Sequence, residues 1–150
     1  MSPRETLREP YLDSVVEIVF DAGTVLVTPA PRGTTDGRFP ADVSRLHVIT
    51  AWNPYSQVLD APDNEARNAA LARDLQAAGL AHRDAVGRSP DGTWREQCFA
   101  VLDAAEDVVL DLAERHDQHA VYAWTPREWA VVWAGDHRGE RDVSGWRVRG

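Results

Sequence analysis

The chain has 150 residues, of which 43% are hydrophobic and 27% charged, and its formal net charge is −8. These values are typical of a soluble protein with one domain, and the acidic balance argues against general nucleic-acid binding, which requires a basic face. No apolar run approaches the ~20 residues of a membrane-spanning helix, and Met1 to Glu5 lack the basic-then-apolar order of a signal peptide. We therefore expect a cytoplasmic protein.

Residue types exclude several chemistries. All sixteen basic residues are arginine, which rules out a Schiff-base lysine, a lysine general base and the lysine of a phosphate-binding P-loop. The single cysteine, Cys98, excludes an intrachain disulfide and a cysteine-based zinc site. The sequence also contains no nucleophile elbow, dinucleotide-binding glycine loop or zinc-protease helix motif. We expect no cofactor and no metal.

The first third of the chain predicts a β-hairpin followed by a loop. Residues 1–14 are charged and lack a clear period, and residues 5–12 are compatible with one or two helical turns. Two β-branched runs, Val15–Phe20 and Thr24–Thr28, are joined at Asp21-Ala22-Gly23, so we predict a hairpin over residues 15–28. The three prolines and two glycines that follow predict a long loop over residues 29–44.

A strand, a sharp stop and a helix come next. The strand is Leu46–Trp52, and it ends at Asn53 because Pro54 cannot donate to a β-ladder. Asp60 has the character of an N-cap, and the helix should run to about Ala78. Residues spaced for one helix face form a stripe whose N-terminal end is polar: Asn64, Asn68, Leu71, Leu75 and Ala78.

The second half of the chain alternates strands and one further helix. We predict strands over residues 82–86, 94–102, 119–124 and 129–134, and a helix over residues 104–115. Ser89-Pro90-Asp91-Gly92 matches a type I turn. The tail from Gly135 is charged and glycine-rich, which indicates a loose segment apart from Trp146.

From Leu46 onward, the order β-α-β-β-α-β predicts an α+β protein with a ferredoxin-like split βαβ fold, in which both helices lie on one face of a mainly antiparallel sheet. Right-handed crossovers favour the spatial strand order fourth-first-third-second. We expect one domain over residues 1–150. Its parts are the hairpin (15–28), the loop (29–44), a core (45–134) with an extra C-terminal strand, and the tail (135–150).

This topology brings polar residues that are distant in sequence to one rim of the sheet. The expected members are Asn53, Asn64, Asn68, Glu96 and Gln118. Buried amides and carboxylates need hydrogen-bond partners, since each unsatisfied group costs ~1–3 kcal/mol. Two interpretations stay open: the side chains satisfy one another and nearby turns, or they form a ligand site.

The same residues resemble a bacterial family of unknown function, the domain-of-unknown-function family three-two-nine-three. The motifs that carry the resemblance are, in chain order, Ile49-Thr50-Ala51-Trp52-Asn53-Pro54, then Asn64 and Asn68, Trp94-Arg95-Glu96 before Phe99, and Gln118 before Ala120-Val121-Tyr122. The resemblance covers about residues 45–132 and implies that these residues form one signature. It implies no reaction.

The chain departs from the family pattern at two places. The pattern has Pro-Ser-Phe after the glutamate, where this chain has Gln97-Cys98-Phe99. It has Phe-Gly before the glutamine, where this chain has His116-Asp117. The first departure puts a serine role in doubt, and the second puts in doubt the turn that positions Gln118.

Three functions are compatible with these residues. The first is binding of a small polar ligand in a pocket at the end of the Leu46 strand, by Thr50, Asn53, Asn64, Asn68, Trp94 and Gln118. The second is a hydrolase or transferase that uses Glu96, desolvated beside Trp94, as general acid or base. The third is an acidic interaction module, with a possible homodimer, that uses a tryptophan-rich sheet face with Trp129, Val131 and Trp133. The alternative, which we favour, is that the N-terminal hairpin or the loop covers this face. A metal site at His116 and His119 lacks further ligands, and Cys98 fits a buried position better than a nucleophile.

Overall fold

The structure, a computed structural model, describes residues 2–150. Its strands form one sheet that closes into an eight-stranded antiparallel barrel, to which a two-residue strand is added. The strands are β1 (Val15–Phe20), β2 (Gly23–Ala30), β3 (Thr35–Asp36), β4 (Leu46–Ile49), β5 (His82–Arg88), β6 (Arg95–Leu102), β7 (Ala120–Trp124), β8 (Trp129–Trp133) and β9 (Arg141–Arg149). The helices are α1 (Pro3–Asp13), α2 (Ala61–Ala77) and α3 (Glu106–Arg115).

The strand order around the barrel is β2-β1-β5-β6-β4-β7-β8-β9, and β9 pairs back onto β2. The first part of β9 pairs with β8, with Val131 opposite Asp142, and its second part pairs with β2, with Val27 opposite Val148. The short strand β3 lies parallel to β9 at Trp146. Because β9 joins both ends of the sheet, the barrel strands have no free edge.

The predicted ferredoxin-like fold class is therefore wrong. The four strands of the predicted motif do have the expected neighbour order, β5-β6-β4-β7, but they are one half of a closed barrel and not an open sheet. The tail from Gly135, predicted to be loose, forms β9. The strand was not predicted because its charged residues gave no apolar pattern. In the structure, Arg141 and Arg149 are exposed, while Gly145 and Trp146 are buried.

Two hydrophobic clusters account for the core. The first fills the barrel interior and includes Val16, Val48, Ala100 and Trp124. The second lies outside the barrel, where α2 and α3 cover β6, β4, β7 and β8, and it includes Leu71 and Leu75 of α2. None of the helices in residues 2–150 is long and apolar enough to cross a membrane.

The tryptophan-rich sheet face considered for protein interaction is the barrel interior. Trp129, Val131 and Trp133 belong to the interior cluster, and none of the three is more than 1% exposed. The face is covered, as one of the two alternatives expected, because closure of the barrel buries one face of every strand.

Each barrel end is covered by a segment that lies outside the predicted strands and helices. Phe39, from the loop over residues 37–45, packs edge-on against Trp124 at one end. At the other end lies α1, and Tyr11 packs against Trp133 and Tyr122 with ring centroids 5.3 and 5.9 Å apart. The end covered by α1 is where β4 stops and β6 starts.

A buried carboxylate anchors α1 to the barrel. Asp142 of β9 accepts hydrogen bonds from Arg8 Nε at 2.9 Å, from Arg4 Nη2 at 3.2 Å and from Trp133 Nε1 at 2.9 Å. Burial alone would raise the pKa of Asp142, but these hydrogen bonds outweigh it and lower the pKa to about 2. Asp142 is therefore a carboxylate at neutral pH, and it fixes α1 across the barrel mouth.

Gly145 lets the loop after β2 approach the closing strand. A Cβ at this position would overlap the carbonyl oxygens of Pro31 and Thr34. We expect Gly145→Ala to lower the free energy of unfolding by ~1–3 kcal/mol, as overpacking against backbone does. Urea denaturation followed by circular dichroism measures the change. Ser144→Ala is the matched control on the same strand, and an equal loss in both variants would contradict the steric explanation.

Candidate functional site

A cavity of ≈ 420 Å³ lies at the barrel end covered by α1. Its walls come from α1, the turn after β4, the β5–β6 turn, the start of β6 and the turn before β7. The lining residues are Leu7, Pro10, Tyr11, Asp13, Ser14, Asn53, Ser56, Ser89, Pro90, Trp94, Glu96 and Gln118.

A left-handed turn after β4 brings Asn53 to this cavity. Asn53 has a φ of 47°, and Tyr55 and Ser56 follow with φ values of 49° and 62°. Asparagine tolerates this region better than most residues. Asn64 of α2 stabilises the turn by a reciprocal pair: Asn53 N donates to Asn64 Oδ1 at 2.8 Å, and Asn64 Nδ2 donates to Asn53 Oδ1 at 2.8 Å.

Asn68 holds the preceding residues in the same way, one helical turn further along α2. Its Oδ1 accepts from Ala51 N at 2.8 Å, and its Nδ2 donates to Gln97 O at 2.9 Å. The hydroxyl of Thr50 also donates to Gln97 O and accepts from Trp52 N at 3.0 Å. Asn64 and Asn68 are 1% and 5% exposed and do not line the cavity, so they support the turn that carries Asn53.

Gln118 enters the cavity from the turn before β7. Its Nε2 donates to Trp52 O at 3.2 Å and to His116 O at 3.3 Å, which ties this turn to the one after β4. Asp117, where the family pattern has glycine, has a φ of 59°. Asp117 therefore adopts a left-handed turn in this chain, and Arg67 supports it with a hydrogen bond to His116 O at 2.8 Å.

Glu96 faces into the barrel mouth because it lies two residues before Cys98 on β6, on the side of the strand that faces the interior. Its Oε1 accepts a hydrogen bond from Asn53 Nδ2 at 3.3 Å. Burial raises the pKa of Glu96 to about 8, and the bond from Asn53 only partly opposes this effect. Glu96 is therefore mostly a neutral acid at pH 7 in the empty site.

The other ionisable groups beside Glu96 are also neutral at pH 7. Burial raises the pKa of Tyr11, with a further contribution from Glu96, and it raises the pKa of Tyr122 well above its usual range. Burial likewise raises the pKa of the Cys98 thiol to about 12. A thiol with so high a pKa is a poor nucleophile, so Cys98 fits a packing role.

Three polar atoms at the cavity keep free hydrogen-bonding capacity. Within residues 2–150, Gln118 Oε1, Glu96 Oε2 and Tyr11 Oη make no hydrogen bond, while the donors of Gln118 are both directed to backbone carbonyls. All three residues line the cavity. The cavity therefore presents polar atoms that a bound molecule can reach.

The structure brings most of the expected residues together and divides them by position. Asn53, Trp94, Glu96 and Gln118 line the cavity, whereas Thr50 lies just behind it, beside a narrow inner extension. Asn64 and Asn68 lie on α2 and do not line the cavity. The expected convergence of Asn53 and Glu96 is thus observed, with hydrogen-bonded side chains.

The contribution of α1 was missed by the sequence analysis. Leu7, Pro10, Tyr11 and Ser14 all line the cavity. Their spacing of i, i+3, i+4 and i+7 is that of one helix face, and this was the available signal. The many charges of residues 1–14, together with Pro10 inside the helix, obscured it.

The histidines considered as metal ligands have other contacts. His116 Nε2 lies 2.7 Å from Asp74 Oδ2, and the ring of His119 packs against Tyr55 with centroids 5.2 Å apart. Among residues 2–150, no group of three or more His, Cys, Asp or Glu side chains is placed to hold a metal ion.

Comparison with known proteins supports the family resemblance. The family model described as "Protein of unknown function (DUF3293)" matches residues 49–121, which confirms the resemblance over that segment. The segment contains Asn53, Asn64, Asn68, Glu96 and Gln118, whereas α1 precedes it. No curated protein and no solved structure gives a significant match.

We expect Asn64→Ala to destabilise the protein, because it leaves the N–H of Asn53 buried without a partner. The loss in unfolding free energy should be ~1–3 kcal/mol. Thermal or urea denaturation measures it, and Glu65→Ala, an exposed neighbour on α2, is the control. Unchanged stability of Asn64→Ala would show that the reciprocal amide pair does not support the turn.

Because the pKa of Glu96 is raised, we expect the free energy of unfolding to depend on pH. Between its ordinary value of 4.5 and about 8 the folded state binds more protons at Glu96 than the unfolded state, so stability falls as pH rises through this range. The slope is on the order of 1 kcal/mol per pH unit. Glu96→Gln should remove this slope, whereas Glu65→Gln should keep it. Denaturation midpoints between about pH 5 and pH 9 measure the difference, and parallel curves for wild type and Glu96→Gln would exclude a perturbed pKa.

Proposed function

We propose that this protein binds a small polar ligand in the cavity between α1 and β6. The family model matches residues 49–121, which include most of the cavity residues outside α1. The observation that carries the proposal is the set of free polar atoms on Glu96, Gln118 and Tyr11 in a concave site. The earlier expectation had placed the ligand against Asn64 and Asn68 as well. Those two residues now have the supporting role, and the ligand contacts belong to Asn53, Trp94, Glu96 and Gln118.

The composition of the cavity supports this proposal. Leu7, Pro10, Pro90 and Trp94 supply apolar wall, and the polar atoms are grouped on the side formed by β6 and the turns. Ligand sites in proteins typically combine a mainly apolar lining with a few placed polar groups, in cavities of roughly 300–1,000 Å³. The cavity of ≈ 420 Å³ is at the lower end of that range, which favours a small ligand.

A second candidate is an enzyme that uses Glu96 as general acid or base. The observation in its favour is the pKa of about 8, since a group that titrates near neutral pH exchanges protons efficiently. Glu96 also lies at an accessible cavity, as such a group must. Binding without turnover ranks first. Cys98 is protonated and buried, and no serine that lines the cavity has a histidine as hydrogen-bond partner within residues 2–150. The expected cytoplasmic location is part of both proposals.

A thermal-shift screen of small metabolites tests the binding proposal. A ligand of the cavity should raise the melting temperature of wild type, and Trp94→Ala should reduce the shift, because Trp94 is a cavity wall whose side chain is 43% exposed and can be truncated without opening the core. Val58→Ala, at a position 84% exposed outside the cavity, is the matched control. Hits that stabilise Trp94→Ala as strongly as wild type would place the ligand elsewhere.

Glu96→Gln distinguishes the two candidates once a ligand is known. In an enzyme, this variant should keep the fold while turnover falls by ~10²–10⁴-fold, the usual contribution of general acid–base catalysis. Conversion of the ligand, followed by chromatography, is the measurement. If wild type leaves the ligand unchanged, or if Glu96→Gln turns it over at the wild-type rate, the acid–base role is excluded.

A further inference from the structure

We infer that the ligand is a small organic ammonium ion, held by the carboxylate of Glu96 between the aromatic side chains of Tyr11 and Trp94. This inference rests on the proposed function, since it names the chemical class that the same cavity accepts. Four features of the cavity lead to it: its charge, the surroundings of Glu96, the orientation of Gln118 and the aromatic walls.

The charge of the cavity lining is of one sign. It contains two acids, Asp13 at the rim and Glu96 inside, and none of its lining residues is basic within the part of the chain that the structure describes. Three nearby arginines are engaged elsewhere: Arg4 and Arg8 of α1 bind Asp142, and Arg88 of β5 binds Glu17. A phosphate or carboxylate ligand would find no cationic partner among the lining residues, where such ligands normally meet arginine.

Glu96 lacks a counter-ion. Its described polar contact is the amide of Asn53, and the ionisable groups that face it from α1, β6 and β7 are Tyr11, Cys98 and Tyr122. All three are uncharged at neutral pH, so nothing in the site compensates an ionised Glu96. A cation that enters the cavity supplies the missing charge, and it thereby favours the ionised form of Glu96.

Gln118 adds an acceptor beside this acid. Both hydrogen bonds of its amide group are donated by Nε2, to Trp52 O and His116 O, so Oε1 is the atom left for a ligand. Asn53 Oδ1 is not free to accept a hydrogen bond from a ligand, because it already accepts from Leu59 N and Asn64 Nδ2. The free atoms of Gln118 and of an ionised Glu96 are thus acceptors, which match the N–H donors of an ammonium group.

The aromatic walls suit the same ligand. Tyr11 and Trp94 both line the cavity, and a cation near an aromatic face gains ~0.5–2 kcal/mol. The apolar side chains of Leu7 and Pro10 then contact the carbon skeleton of the ligand. An ammonium group attached to a compact apolar body satisfies every part of this lining.

The test uses three probes of one shape and different charge: benzylamine, benzyl alcohol and benzoate. Each is titrated into ¹⁵N-labelled protein, and shifts of the amides around Asn53, Glu96 and Gln118 give the dissociation constant. We expect benzylamine to bind on the order of tenfold more tightly than benzyl alcohol, the gain from one charge-assisted hydrogen bond. Benzoate should not bind.

The pH dependence gives a second readout on the wild-type protein. Because Glu96 has a pKa of about 8, its ionised fraction rises about tenfold per pH unit below that value. The affinity for benzylamine should therefore rise about tenfold between about pH 6 and pH 7 and level off near pH 8, while the affinity for benzyl alcohol stays flat. Glu96→Gln should abolish the preference for benzylamine and its pH dependence, and Glu65→Gln, which removes one exposed charge from α2, should change neither.

The outcomes separate the two proposals. If benzyl alcohol or benzoate binds in the cavity as tightly as benzylamine, the cavity is a ligand site but the ammonium assignment is wrong. A preference for benzylamine that survives in Glu96→Gln, or that is flat with pH in wild type, also overturns the assignment. If none of the three probes shifts the cavity amides at millimolar concentration, the binding proposal fails together with it.

Discussion

Closure of the sheet by β9 is the constraint on which the other features depend. Because β9 pairs with β8 over its first half and with β2 over its second, every barrel strand has two neighbours. Closure puts the tryptophans of β8 inside and leaves an open end that needs a cover. The first helix supplies that cover and is fixed by Asp142, a residue of the closing strand itself. The cavity is the space left between this helix and the barrel mouth.

The sequence was informative where local patterns and chain order decide the outcome. The asparagine stripe of α2 and the order of the four central strands follow from period and crossover handedness, and both are observed. The convergence of Asn53 with Glu96 follows from them. Barrel closure did not follow, because it depends on a pairing between β2 and β9 that no local pattern encodes. The charged positions of β9 and the mixed composition of α1 therefore concealed the two elements that complete the fold.

The amide residues of the signature now have distinct physical roles. The side chains of Asn64 and Asn68 form hydrogen bonds with the backbone of residues 51, 53 and 97. In this chain, these two residues of the motif therefore hold the left-handed turn against α2. Asn53 connects that turn to Glu96. The interpretation of mutual satisfaction applies to the outer layer, whereas the residues at the cavity keep free polar atoms. The match of the family over residues 49–121 covers both layers but leaves out the helix that covers the site.

The distribution of the six tryptophans has a spectroscopic consequence. Trp124, Trp129, Trp133 and Trp146 are at most 2% exposed, whereas Trp94 is 43% exposed at the cavity wall. Indole emission shifts to the blue in an apolar environment and to the red in water, so the native spectrum should combine a blue component from the barrel with a redder one from the mouth. A soluble quencher such as acrylamide will reach the redder component first. The molecule therefore contains an intrinsic optical probe at the cavity wall.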